Sequence, residues 1–276
     1  MSSNAMSLKA KINNYASKNH IAAQVVLQNY MFERFLVRLS KSKYKEKFII
    51  KGGMLVAAIV GLDTRSTKDL DATLKGFPLD DVSINEAIKQ INQIELNDEV
   101  SFNLVSVTPI RQDDQYGGFC VRIDALYDTI ITPLSIDIST GDVITPAAVM
   151  YEFNGIFDEG LSIKLWGYNI ETLMAEKMET ILRRGIFNTR PRDYYDIYIL
   201  STKQSFDKQI FEEALEATSK HRGSFDNISD RVSIISKISA SEDLQKMWKK
   251  YQQRFLYANQ ISFSDIIGEL KSVLDI

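Results

Sequence analysis

The chain has 276 residues, of which 45% are hydrophobic and 25% charged, with a formal net charge of −3. That length holds one large core or two modest ones, and the charge gives no general pull toward nucleic acid, so any polyanion must be met by a local basic patch. The one cysteine, Cys120, excludes an internal disulfide, and no apolar run reaches the roughly 20 residues of a membrane helix, so a cytoplasmic protein with no membrane role is expected.

No signal-peptide pattern opens the chain, and Ser3-Asn4-Ala5 ahead of Met6 reads as a cloning remnant. Residues 7–40 have a helical pattern, with Val26, Tyr30, Phe32, Phe35, Leu36 and Leu39 recurring at spacings of three and four. A lysine-rich turn, KSKYKEK at 41–47, leads into a short buried strand at Phe48-Ile49-Ile50. Gly52-Gly53 follows, then an apolar helix from Met54 to Val60 closed by Gly61. Strand, glycine pair and helix start suit an anion, because helix N-terminal N–H groups attract it and glycine lets it approach the backbone. The pattern matches neither the Walker A loop nor GxGxxG.

Arg65-Ser66-Thr67 precedes a second strand at 70–74, and a helix is predicted over 83–94 with Ser83 as its N-cap and Glu86 three residues on. Residues 101–108, 118–124 and 133–139 read as strands. Their links are too short for helical crossovers, so the pairing is antiparallel or mixed. Residues 151–168 add a hairpin turning near Asp158-Glu159-Gly160. From Asn169 the pattern is helical: IETLMAEKMETILRRG, then PRDYYDIYILST entered at a proline, then segments near 206–220, 227–239, 241–256 and 263–275. The expected class is α+β, a mixed-sheet domain over 1–168 followed by a helical domain over 169–276.

The chemistry centres on Asp69-Leu70-Asp71. Alternation along a strand points both carboxylates the same way, with Cα atoms roughly 6.5 Å apart. Such a pair repels in a core and becomes favourable with a divalent cation between its members; an isolated pair equally fits a solvated strand edge. Asp137, set among β-branched residues where aspartate is disfavoured, is a third carboxylate. Asp124 is its rival, and Asp137 is preferred for its cleaner alternation.

Gly52-Gly53, then Arg65-x-Thr67-x-Asp69-Leu70-Asp71, a third aspartate on a later strand, and AEKMETILRRG with RPRDYYDIYIL downstream resemble the AbiEii/AbiGii toxin family of nucleotidyltransferases, of the DNA polymerase β type of fold. The resemblance covers roughly residues 30–200. It implies transfer of a nucleoside monophosphate from an NTP to an acceptor hydroxyl, with RNA and in particular tRNA as acceptor, in a toxin–antitoxin or phage-defence system with an antitoxin partner. It implies Asp69, Asp71 and Asp137 as ligands of Mg²⁺ (or Mn²⁺), and a nucleotide grip of Lys51, Gly52, Gly53, Arg65, Thr67, Lys177 and Arg192. Lys177 would point into the cleft and meet the triphosphate, with the helical domain as the opposite wall.

By their own chemistry, Arg183, Arg184, Arg190 and Arg192 form the chain's densest run of arginine. Lys177, at the rim of an apolar helix face, also has a plain alternative in snorkelling to solvent. Asp193 and Asp196 share a helix face, suited to orienting Lys177 or the arginines, or to acting as a base. Asp193 also complements the dipole of its helix. Met54 departs from the family pattern, which places a serine or threonine after the glycine pair. It favours an alternative reading, a binding protein on a scaffold whose catalysis has lapsed.

Overall fold

The computed structural model describes residues 3–110, 117–158 and 160–276. The chain forms two compact units, one of Met1–Gly141 with Val149–Gly167 and one of Asp142–Ala148 with Tyr168–Ile276. Among the described residues there are seven strands and ten α-helices, so the class is α+β, a mixed sheet followed by helices.

In chain order the first unit contains α1 (Ser3–Asn19), α2 (Ala23–Lys41), β1 (Phe48–Lys51), α3 (Gly52–Val60), β2 (Leu70–Leu74), α4 (Asp81–Asn92), β3 (Val100–Ile110), β4 (Gly118–Tyr127), β5 (Ile130–Thr140), β6 (Val149–Asn154) and β7 (Ser162–Gly167). The helical stretch expected over 7–40 is two helices, broken where His20 takes a left-handed φ of 54°. Asp80, not Ser83, caps α4: its carboxylate accepts from the Ser83 backbone N–H at 2.7 Å and from the Ser83 hydroxyl at 2.8 Å. Those bonds hold the Asp80 carboxyl below its ordinary range. Of the hairpin turn expected at 158–160, Glu159 lies outside the described residues.

The strand order is β3-β4-β5-β2-β1-β7-β6. β3, β4 and β5 form an antiparallel meander, as their short links require. β2 inserts beside β5 in parallel and beside β1 antiparallel, while β1 runs parallel to β7. Alternation gives the sheet one apolar face, made by Phe48, Ile50, Leu70, Ala72, Leu74, Val121, Ile123, Ala125, Leu134, Ile136 and Ile138, all buried. α2 packs on β5 and β7, and α4 on β3. Phe35 meets Phe102 edge to face at 5.9 Å. Arg38, 2% exposed, forks onto Asp98 at 2.9 and 2.8 Å. The opposite face carries Lys51, Asp71, Thr73, Cys120, Ser135, Asp137 and Ser139.

The second unit contains α5 (Ile170–Arg184), α6 (Pro191–Lys203), α7 (Lys208–His221), α8 (Arg231–Ala240), α9 (Glu242–Arg254) and α10 (Phe263–Leu274). Asn169 caps α5, and Thr145 in the 142–148 segment is tied to the same turn through Asn169 and Thr172. α5 buries Leu173, Met174, Met178 and Ile181 against α6 and α7. Its Glu179 is fully buried and bonded to Arg183 at 2.7 Å, Arg222 at 2.8 Å and Ser224 at 2.8 Å. Burial pushes the Glu179 carboxyl up, but its partners, Arg222 foremost, outweigh burial and hold it below the ordinary value.

Candidate active site

Register, rather than sequence order, assembles the polar face of the sheet. Lys51 lies across from Asp71, Asp71 beside Asp137, and Asp137 across from Cys120. Directly paired residues point to the same face, so these four side chains form one row across four strands, with neighbouring Cα atoms about 4.5–5.5 Å apart. The row brings two carboxylates side by side with an ammonium next to them. Asp69 is exposed and stands one residue ahead of β2, so only Asp71 of the pair lies within the strand. Asp124 shares the face but pairs with Pro133, four positions along from the row and roughly 13 Å away by strand rise. That distance separates the rival from Asp71.

The carboxylate of Asp71 folds back over the start of α3, with Oδ2 2.0 Å from the position a Cβ on Gly52 would occupy. Gly52 also has a φ of +63°, so glycine is required there twice over. As the side chains stand, no group of three His, Cys, Asp or Glu among the described residues closes on a common point for an ion. What fits a hard divalent cation is the donor chemistry, oxygen ligands from carboxylates that the register sets side by side.

Gly53 is the second close approach. A Cβ there would meet the Thr67 hydroxyl at 2.9 Å and the Arg65 guanidinium at 3.0 Å. Arg65 and Thr67 are both buried, and Lys51 at the cap position of α3 makes no side-chain capping bond. Backbone N–H groups of the first α3 turn thus stand beside a guanidinium and a hydroxyl. Asn29 of α2, 6% exposed, holds this loop by donating to the Thr67 carbonyl at 2.9 Å and to the Val25 carbonyl at 2.8 Å. Sequence reasoning missed Asn29. Its signal was an amide three and four residues after Val26 and Val25, on the face that helix periodicity assigns to the core. Met54 is buried in the core, and the hydroxyl nearest the glycine pair is that of Thr67.

In the second unit Lys177 does not snorkel. It is 8% exposed and sits between two buried carboxylates, its ammonium 2.6 Å from Asp196 and 3.6 Å from Asp193. Arg190 pairs with Asp193 at 2.9 Å from the helix entrance. Asp193 and Asp196 therefore share one lysine, which orients its ammonium from two sides. Next to them, burial lifts the Tyr194 hydroxyl well above its ordinary range, with Asn188 lowering it and the Asp193 charge raising it. Arg192 lies at the entrance to α6, and its side chain makes no hydrogen bond or ion pair among the described residues.

The family described as nucleotidyl transferase AbiEii toxin, type IV toxin–antitoxin system, has a sequence model that matches residues 34–269. Among solved structures, the chain is similar to JHP933 from Helicobacter pylori, at 16% identity over 92% of this chain and 91% of that one, with a TM-score of 0.48. It is also similar to an antigenic nucleotidyltransferase-like protein from Paracoccidioides brasiliensis, at 13% identity over 88% and 92% of the two chains, with a TM-score of 0.36. Comparison with curated proteins gives no match.

Proposed function

Because the chain belongs to the nucleotidyl transferase AbiEii toxin family of type IV toxin–antitoxin systems, we propose that it moves a nucleoside monophosphate from an NTP to a hydroxyl of RNA, tRNA first among candidates. On this reading it is the toxin of a toxin–antitoxin or phage-defence pair, countered by an antitoxin protein. The observation that carries the reading is the Asp71–Asp137 register, two carboxylates on neighbouring strands in a row that calls for a cation.

Asp69, Asp71 and Asp137 would hold Mg²⁺ or Mn²⁺. Such an ion, when bound, neutralises phosphate charge and lowers the pKa of a hydroxyl. Gly52 and Gly53 open the backbone of α3 to a phosphate oxygen, with the Arg65 guanidinium, the Thr67 hydroxyl and Lys51 beside them. On the second unit, Lys177 is a point charge for the triphosphate, held in place by Asp196 and Asp193, and Arg192 adds a planar donor fork. Asp193 and Asp196 act here as positioning residues for Lys177.

The test is incubation of the purified protein with each labelled NTP, Mg²⁺ and total RNA, resolved by size. A labelled band of tRNA size that disappears with Asp69→Ala supports the proposal. Undiminished labelling by Asp69→Ala protein overturns it. The buried Met54, with no hydroxyl to offer, favours a second reading, a scaffold that binds nucleotide without transferring it. That reading expects NTP binding with no pyrophosphate release, whereas transfer releases one pyrophosphate per label incorporated.

A further inference from the structure

The turn between α5 and α6 carries a ring that none of the roles above uses. Phe187 is 82% exposed, and Ile186 beside it is 46% exposed. The ring sits on a fixed mount. Gly185 leaves α5 at a φ of +51°, the Gly185–Phe187 stretch is one 3₁₀ turn, and Asn188, 1% exposed, closes it. Asn188 donates its backbone N–H to the Gly185 carbonyl at 3.2 Å and accepts from the Arg190 backbone N–H at 2.9 Å. Arg184 and Arg190 are each three residues from Phe187, within about 10 Å by chain reach, and Arg192 follows. The Arg184 side chain makes no hydrogen bond or ion pair among the described residues.

We propose that Phe187 is a stacking platform for an unpaired base of RNA, with Arg184 on an adjoining phosphate. The inference rests on the RNA-acceptor reading above and deepens it by naming where a single-stranded segment is held. A rigid exposed ring stacks on any base at little ordering cost, and arginine forks match phosphate oxygens. The local charge also suits a polyanion, which a chain of net charge −3 attracts only where its arginines concentrate. A protein partner fits less well, since a stable interface takes about 800 Å² a side and the apolar surface within this turn is one ring and one isoleucine.

The experiment is binding of a short fluorescent mixed-sequence RNA without secondary structure, followed by anisotropy over a salt series, with sedimentation and melting of each variant. Phe187→Ala and Phe187→Ile are expected to weaken binding about five- to a hundredfold, while Phe187→Trp retains it. The slope of log affinity against log salt is expected to stay unchanged in Phe187→Ala and to fall by about one in Arg184→Gln. RNA binding by the wild type with equal binding by Phe187→Ala overturns the platform and leaves the RNA-acceptor reading standing. No RNA binding by the wild type removes both. A changed sedimentation coefficient in Phe187→Ala with unchanged RNA affinity overturns the platform and makes the turn a contact between copies of the chain.

Discussion

Asp71 lays its carboxylate where a side chain at position 52 would have to be, Oδ2 being 2.0 Å and Cγ 2.6 Å from the Cβ that Gly52 lacks. The glycine before α3 and the aspartate of β2 are thus one device: Lys51 and Asp71 are paired across the strands, and the next residue stays bare so that the carboxylate can lie over the helix start. Gly52→Ala is expected to displace Asp71 and to add left-handed strain of about 1–2 kcal/mol. Urea unfolding of Gly52→Ala, Asp71→Ala and the double variant checks this. Most of the Gly52→Ala cost should vanish in the Asp71→Ala background apart from that strain, because the two closest clashing atoms are then gone.

The Asp71–Asp137 pair makes a second prediction, of opposite sign to the usual cost of a mutation. Without divalent cations, Asp137→Asn removes the like charge beside Asp71 in the cross-strand row, so the variant should melt at or above the wild-type temperature, by up to about 1 kcal/mol. With Mg²⁺ or Mn²⁺ added, the wild type should gain melting temperature and Asp137→Asn should not. An Asp137→Asn variant less stable than wild type in cation-free buffer would show that the Asp137 carboxylate is satisfied within the protein instead.

Much of this row was legible in the sequence because alternation is a period of two and shows in five or six residues. Asp71 and Asp137 both stand between apolar neighbours, and Gly52-Gly53 ends an apolar run. The register was not legible, since Asp71 meets Asp137 across more than sixty intervening residues, and the alternation that favours Asp137 over Asp124 does not say which strand lies beside β2. The α1–α2 break was hidden because it uses His20 in a left-handed conformation, with no glycine or proline to mark it. Ser83 and Asp80 are both competent caps, and the choice between them depends on where the first turn starts. The burial of Lys177 was undecidable from one helix: its partners Asp193 and Asp196 lie on the next helix, and packing converts a rim lysine into an internal ion pair.

That ion pair changes how Lys177 must be tested. Lys177→Ala strips the nearest counter-charge from the buried Asp196 and leaves Asp193 with Arg190 alone, and it is expected to cost about 3–5 kcal/mol, so lost activity in that variant alone says little about catalysis. Lys177→Met combined with Asp196→Asn removes both charges while keeping volume, and should recover most of the stability without recovering transfer. Thermal melting beside pyrophosphate release separates the two effects. Full activity in the stable double variant would remove Lys177 from the mechanism.

Glu179 gives the second unit a pH-dependent share of its stability. Burial raises its carboxyl, but Arg222, Ser224 and Arg183 together bring it below its ordinary value of 4.5. A carboxyl depressed in the folded state stabilises fully above its unfolded value, and the contribution fades as pH falls through the lower folded one. Glu179→Gln should therefore be least stable relative to wild type near neutral pH, and the gap should narrow as pH drops below about 4.5. Its size at neutral pH is expected at the lower end of about 3–5 kcal/mol, because Arg222 keeps Glu176 at 2.7 Å when Glu179 is neutralised. Urea unfolding of both proteins at neutral pH and near pH 3 measures it. A gap that stays constant across that range would mean that Glu179 acts through packing and hydrogen bonds to Ser224, with its charge contributing nothing.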